Sequence, residues 1–237
     1  MILHLLRLCN TMIIISLRFL NGKKGSIMKK SFGFTLAEVL ITLGIIGVVA
    51  AMSIPALNAK IQKTELETAF KVTYSRLNEI LKGIENDYGS IVSVAKDEDE
   101  FLMLLKSYSA GSSFCKKGQA AKICWPERWV SLNGTKISAP ENMNILVMAN
   151  GASININCFS ATCTSKVELK ENIGCVRLRV DTNGTKLPNR VGYDIFDFYI
   201  TSDGLIPRGD SRTATTEDDP HGWGKASYLL RNGKIDY

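Results

Sequence analysis

Residues 29–55 read KKSFGFTLAEVLITLGIIGVVAAMSIP, and this stretch decides the fold. Lys29 and Lys30 stand in a short polar lead that ends at Gly33. From Phe34 to Ile54 the chain is almost entirely apolar, with a single carboxylate, Glu38, near its start. As a helix rising about 1.5 Å per residue, such a run spans roughly 31 Å, the thickness of a bilayer core. Lysines ahead of a span stay on the cytoplasmic side, so the rest of the chain is expected across the membrane.

Charge supports that division. Residues 1–33 hold Arg7, Arg18, Lys23, Lys24, Lys29 and Lys30 and no acid, which accounts for the whole formal excess of +6. Residues 34–237 are formally neutral, so the basic balance of the chain is no argument for nucleic-acid binding. No nucleic-acid partner is expected. Beyond the span, roughly 180 residues remain, enough for one domain with its own core.

Past Pro55 the apolar pattern becomes amphipathic. Leu66, Phe70, Thr73, Leu77, Ile80 and Ile84 recur at helical spacing, with Lys63, Glu65, Glu67, Lys71, Arg76, Asn78 and Lys82 off the stripe. The stripe is short for a coiled coil and suits packing on the chain's own globular part. Pro55 within the helix removes a hydrogen bond and is expected to kink it. Asn86-Asp87-Tyr88-Gly89 ends the helix. Residues 97–108, DEDEFLMLLKSY, open on acids and predict a short helix.

From about Val130 the signal changes to strands and turns. WVSLNGTKIS turns at Asn133-Gly134, NILVMANGASININCF at Asn150-Gly151, and YDIFDFYITSDGLIP at Asp203-Gly204. In CVRLRVDTNG, Val176, Leu178 and Val180 alternate with Arg177 and Arg179. Successive runs of this kind predict an antiparallel sheet, with the helical stripe on its inner face. GWGKASYLLRNGKIDY closes with a short helix, an Asn232-Gly233 turn and a terminal strand. The expected class is α+β, a long N-terminal helix packed on an antiparallel sheet.

GFTLAEVLITLGIIGVVAAMSIP resembles the prepilin signature of type IV pilins and type II secretion pseudopilins. In that family a prepilin peptidase cuts after the glycine and N-methylates the new terminal phenylalanine. The resemblance places cleavage between Gly33 and Phe34, makes Glu38 the assembly glutamate, and makes Pro55 the proline of the pilin helix. It implies a division into a cleaved leader, 1–33, a membrane and assembly segment, 34–55, and a periplasmic or extracellular pilin-like domain, 56–237. Leaders in this family are usually short. Residues 1–27 then read either as sequence ahead of a true start at Met28 or as a long leader removed with the rest.

The implied function is structural, that of a minor pilin or pseudopilin and not an enzyme. Its expected partners are prepilin peptidase, other pilin or pseudopilin subunits, the inner-membrane assembly platform and, before assembly, membrane lipid. It would sit in the inner membrane as a single-pass protein and then enter a periplasmic or extracellular filament. Two other classes compete. A pilus-associated adhesin or DNA-uptake module would show an exposed basic or aromatic patch. A membrane-anchored enzyme would need a catalytic cluster, and no Ser-His-Asp set or phosphate-binding glycine loop is visible.

Six cysteines are present. Those beyond the span meet an oxidising compartment if exported, which favours disulfides. Cys115 with Cys124 and Cys158 with Cys163 are the pairs close in sequence, leaving Cys175 odd, and other connectivities stay open. Residues 181–198, DTNGTKLPNRVGYDIFDF, are rich in oxygen-bearing side chains. Asp181, Asn183 and Asp194 are candidate calcium ligands, yet the terminal glutamate and glycine spacing of an EF-hand are absent. Asx turns between strands use the same residues. No other cofactor is expected.

Overall fold

The computed structural model describes residues 34–95, 97–118, 123–138, 144–159 and 174–237. The leader, Gly33 and Cys163 lie outside them, as do the side chains of Cys158 and Cys175. Four helices occur among them: α1 (Leu36–Tyr88), α2 (Ile91–Val94), α3 (Glu98–Ser107) and α4 (Lys225–Asn232). The strands are β1 (Ser113–Cys115), β2 (Arg128–Val130), β3 (Lys136–Ser138), β4 (Ile145–Val147), β5 (Ser153–Phe159), β6 (Gly174–Asp181), β7 (Ile195–Thr201) and β8 (Gly204–Pro207). The chain falls into two compact units that meet at Met52 and Ser53.

The first unit holds the start of α1. Its apolar side chains face outward: Leu36, Leu40, Ile41, Leu43 and Ile45 are all exposed. In length and hydropathy this helix is able to cross a membrane, with a mean hydropathy of 2.3 over its most apolar window.

The second unit is an α+β layer pair. Six strands form one antiparallel sheet in the order β1-β4-β5-β6-β7-β8, and β2 pairs with β3 in a separate hairpin. The helical stripe covers the sheet's inner face. Leu66, Phe70, Thr73, Leu77, Ile80 and Ile84 are all buried, joined by Leu81. Phe70 packs its ring on Phe196 at 4.5 Å and Phe198 at 6.0 Å between centroids. From β6, Val176, Leu178 and Val180 enter the same core. Each of these large side chains contributes about 1.5–3 kcal/mol on burial. Thr73 is the polar member of the stripe, and its hydroxyl accepts a 3.0 Å hydrogen bond from Asn150 Nδ2 at the β4–β5 turn.

Local signals explain the element ends. Gly89 adopts φ +77° and its N–H caps the Glu85 carbonyl at 2.8 Å, so α1 stops at Tyr88. Asp97 caps α3 by accepting from the Asp99 and Glu100 amides.

The outer face of the sheet is also covered, and every residue of β7 is buried. Trp125, Trp129, Ile145, Val191 and Ile195 form a second apolar cluster there, with Trp223 packed against it. Beside it lies an ion-pair network. Arg179 and Asp197 face each other across β6 and β7, bonded through Nε at 2.8 Å and Nη2 at 3.1 Å. Arg208 Nη1 reaches the same carboxylate at 2.9 Å. The Arg179 guanidinium lies 4.3 Å from the Trp223 ring centroid. Burial raises the Asp197 carboxyl, but the two arginines outweigh it, and the group is held below the usual carboxylate range.

The expected terminal strand does not form. Residues 234–237 have no strand pairing and are held by side chains instead. The Ile235 amide donates to Glu67 of α1 at 2.7 Å, and Lys63 donates to the Ile235 carbonyl at 3.2 Å. Two ionic side chains on the helix thus take the hydrogen bonds a strand partner would have supplied.

Candidate functional site

Phe34 precedes α1 and is 75% exposed. Thr35 is the residue ahead of the first helical turn, and Glu38 is the third residue of that turn. Glu38 N–H donates to Thr35 Oγ1 at 3.3 Å. In return, Thr35 N–H and Oγ1 donate to Glu38 Oε2 at 2.9 and 3.0 Å. This is a capping box, which satisfies two orphan amides at the helix start. The Thr-x-x-Glu spacing that signals it lies within the stretch already read for other reasons.

From Phe34 to Ala59 the only charged side chain is Glu38. Pro55 lies inside α1, which is helical on both sides of it. Having no N–H, it cannot bond the carbonyl one turn back.

In the second unit, α1 borders a groove of about 630 Å³, lined by Leu57, Ile61, Thr68 and Val72 of the helix and by Asn150 and Thr182 at the end of the sheet, among others. Ile61 and Val72 are 47% and 43% exposed. The hydrophobic stripe therefore serves the core, while a second, weaker apolar row remains outside it.

Cys115 and Cys124 are joined by a disulfide, with Cα atoms 6.4 Å apart. It fastens β1 to the segment that carries Trp125.

The loop from Asp181 to Asp194 holds most of the oxygen-bearing side chains of 181–198, whereas Asp197 stands with the arginines on the outer face. Thr182 N–H donates to the Asp194 carbonyl at 2.8 Å, which closes the loop's two ends on each other. Asp194 accepts from the Asn189 and Arg190 amides at 2.7 and 2.6 Å, and Asp181 accepts from the Asn183 amide at 3.2 Å. Gly184 has φ +71°, and a Cβ there would sit 2.7 Å from the Gly151 carbonyl oxygen, so glycine is required twice over. Burial, and then the neighbouring Asp194 carboxylate, push Asp181 well above its ordinary value. Burial also pushes Asp194 up, to about 6, against the amides that donate to it. Asn189, another oxygen-bearing residue of the segment, adopts φ +49°. Among the described residues, no group of three or more His, Cys, Asp or Glu side chains is arranged to hold a metal.

The tryptophans do not form an exposed platform. Trp125 and Trp129 are buried and Trp223 is half-buried under the arginines.

No curated protein and no solved structure matches the chain. Residues 28–54 match the family model for the prokaryotic N-terminal methylation motif. At its membrane-competent helix the chain thus carries the prepilin-type signature of type IV pilins and pseudopilins.

Proposed function

We propose that the protein is a minor pilin or pseudopilin, a structural subunit of a type IV pilus or type II secretion pseudopilus. Prepilin peptidase would remove the leader between Gly33 and Phe34 and methylate Phe34. Residues 34–55 would hold the subunit in the inner membrane, with 56–237 on the periplasmic side, and the same helix would then carry it into a filament. The observation that carries this reading is the signature at residues 28–54, set on a helix whose apolar face is exposed throughout its first unit. Such a face needs lipid or other helices to cover it. Glu38 would meet the terminal amine of a neighbouring subunit, since two opposite charges in an apolar bundle stabilise each other. The groove beside Ile61 and Val72 offers a neighbouring subunit further apolar contact.

The test is the intact mass of the protein recovered from membranes. The expected chain begins at a methylated Phe34. A chain that begins elsewhere, or an unmethylated Phe34, overturns the prepilin reading.

A further inference from the structure

Four Asn-Gly pairs lie among the described residues, at Asn133, Asn150, Asn183 and Asn232. All four glycines have positive φ, so each pair has a conformational reason to exist. The four carboxamides differ in their surroundings. Asn133 and Gly134 stand at the exposed tip of the β2–β3 hairpin. Three donors converge on Asn133 Oδ1. The Ser131 hydroxyl lies at 2.6 Å, nearer than it does to the Thr135 carbonyl at 3.2 Å. The Thr135 hydroxyl lies at 2.9 Å and the Thr135 amide at 3.2 Å. A backbone amide can only donate, which fixes that end of the carboxamide as its oxygen. Asn133 Nδ2 makes no hydrogen bond among the described residues.

The donors are held in place. Ser131 is buried, and its amide donates to the Thr135 carbonyl at 2.9 Å. Leu132 is anchored at both backbone groups, donating to the His221 carbonyl at 2.9 Å and accepting from the Arg190 guanidinium. Gly134 is open, and a Cβ there would meet nothing within 4 Å. The other pairs lack this set. Asn150 Oδ1 accepts from the Ala152 amide at 3.2 Å, and Nδ2 is held by Thr73. Asn183 Oδ1 is buried without a donor, and Nδ2 donates to the Leu187 carbonyl at 3.2 Å. Asn232 is the last residue of α4, and its side chain makes no hydrogen bond among the described residues.

We infer that Asn133 is a site of self-modification, at which the Gly134 nitrogen displaces the Asn133 side-chain amide as ammonia. The Gly134 amide first leaves the Ser131 carbonyl, to which it donates at 2.9 Å. Hydroxide takes its proton, and the nitrogen's electron pair forms a bond to Asn133 Cγ. The carbonyl π pair moves onto Oδ1. It returns as the Cγ–Nδ2 bond breaks, and ammonia leaves with a proton from water, which restores the hydroxide. Water then opens the resulting succinimide at either carbonyl and leaves aspartate or isoaspartate. The only co-reactant is water. Negative charge develops on the atom at which three donors already point, which is the arrangement of an oxyanion hole. Conversion puts a carboxylate at the hairpin tip, and the isoaspartate form lengthens the backbone of the turn. The site is independent of the filament reading, because it uses none of the residues on which that reading rests.

The test uses the full chain in detergent micelles, held in mildly alkaline buffer and sampled over time. Peptide mapping by mass spectrometry locates the exchange of ammonia for water and separates aspartate from isoaspartate. Asn133 should convert first of the four and give both products. Thr135→Val keeps the backbone amide and the shape of the side chain but removes one donor. It should slow conversion of Asn133 about tenfold, less than the loss of a donor costs in an enclosed oxyanion hole. Thr135→Ser keeps the hydroxyl and should convert as the wild type does. A wild-type Asn133 that stays intact overturns the inference, as does conversion of Asn150, Asn183 or Asn232 ahead of it. A Thr135→Val protein that converts as fast as the wild type, or faster, overturns it too, and would show that the turn shields the carboxamide instead of activating it.

Discussion

Glu38 is one carboxylate with two tasks open to it. It closes the capping box with Thr35, and it is the only charged side chain from Phe34 to Ala59 and so the proposed partner of a neighbour's Phe34 amine. The two tasks separate experimentally, because glutamine serves a capping box but carries no charge. Glu38→Gln and Glu38→Val are both expected to insert, to be processed and to leave the second unit folded, yet to enter filaments about tenfold less than wild type. A tenfold change corresponds to about 1.4 kcal/mol, a fraction of what a buried charge loses with its partner. The readout is the amount of variant in sheared filaments relative to the membrane pool. Normal assembly by Glu38→Gln alone would assign the residue to helix capping. Asp197 is the opposite case, a fully buried carboxylate serving two arginines. Asp197→Asn should cost about 3–5 kcal/mol, because both guanidiniums lose a shared counter-charge. The pH dependence has a definite sign. The folded group ionises below the unfolded value of about 3.9, so its contribution is complete above that pH and is lost as pH falls through the folded value. The stability gap between wild type and Asp197→Asn, from denaturant unfolding, should therefore be constant near neutrality and close in acid.

At the scale of the elements, local chemistry was legible in the sequence. The stripe from Leu66 to Ile84 is buried residue for residue, because a 3.6-residue period leaves one face for the sheet. Leu77→Ala is accordingly expected to cost about 2–5 kcal/mol. Val72→Ala, off the stripe and 43% exposed, should fall within about 0.5 kcal/mol of wild type. Equal costs in chemical denaturation would show that the stripe does not face the core. The turns at Asn150-Gly151 and Asp203-Gly204 were legible for a similar reason, since only a few residue types tolerate positive φ. The outer cover of the sheet was not. The alternation of Arg177 and Arg179 with Val176, Leu178 and Val180 does not tell what the arginines meet. Arg179 meets Asp197 and Trp223, groups supplied by other segments of the chain. The terminal strand failed likewise, because its competitor, a clasp to Glu67 and Lys63, lies more than 160 residues away. In the Asp181 loop the oxygen-rich composition was visible, but which oxygens lack donors depends on a fold that spacing does not encode.

For the molecule as a whole, the Cys115–Cys124 link ties the edge strand β1 to the outer cover near Trp125. Closing so short a loop stabilises by about 2–3 kcal/mol through the unfolded chain. The Cys115→Ser/Cys124→Ser double variant should therefore fold but unfold at lower denaturant, by an amount that matches this range. No loss of stability would mean that the cover is held without it. The edges of the sheet carry a wider consequence. β1 has three residues and β8 has four, the latter ending at Pro207. A subunit held at high local density in a membrane, as proposed for this chain, would risk joining its copies in the wrong way. Strand edges this short make poor templates for adding another strand, and proline donates nothing to one. Runaway sheet extension is thereby discouraged, and under the proposed function polymerisation would be left to the helix.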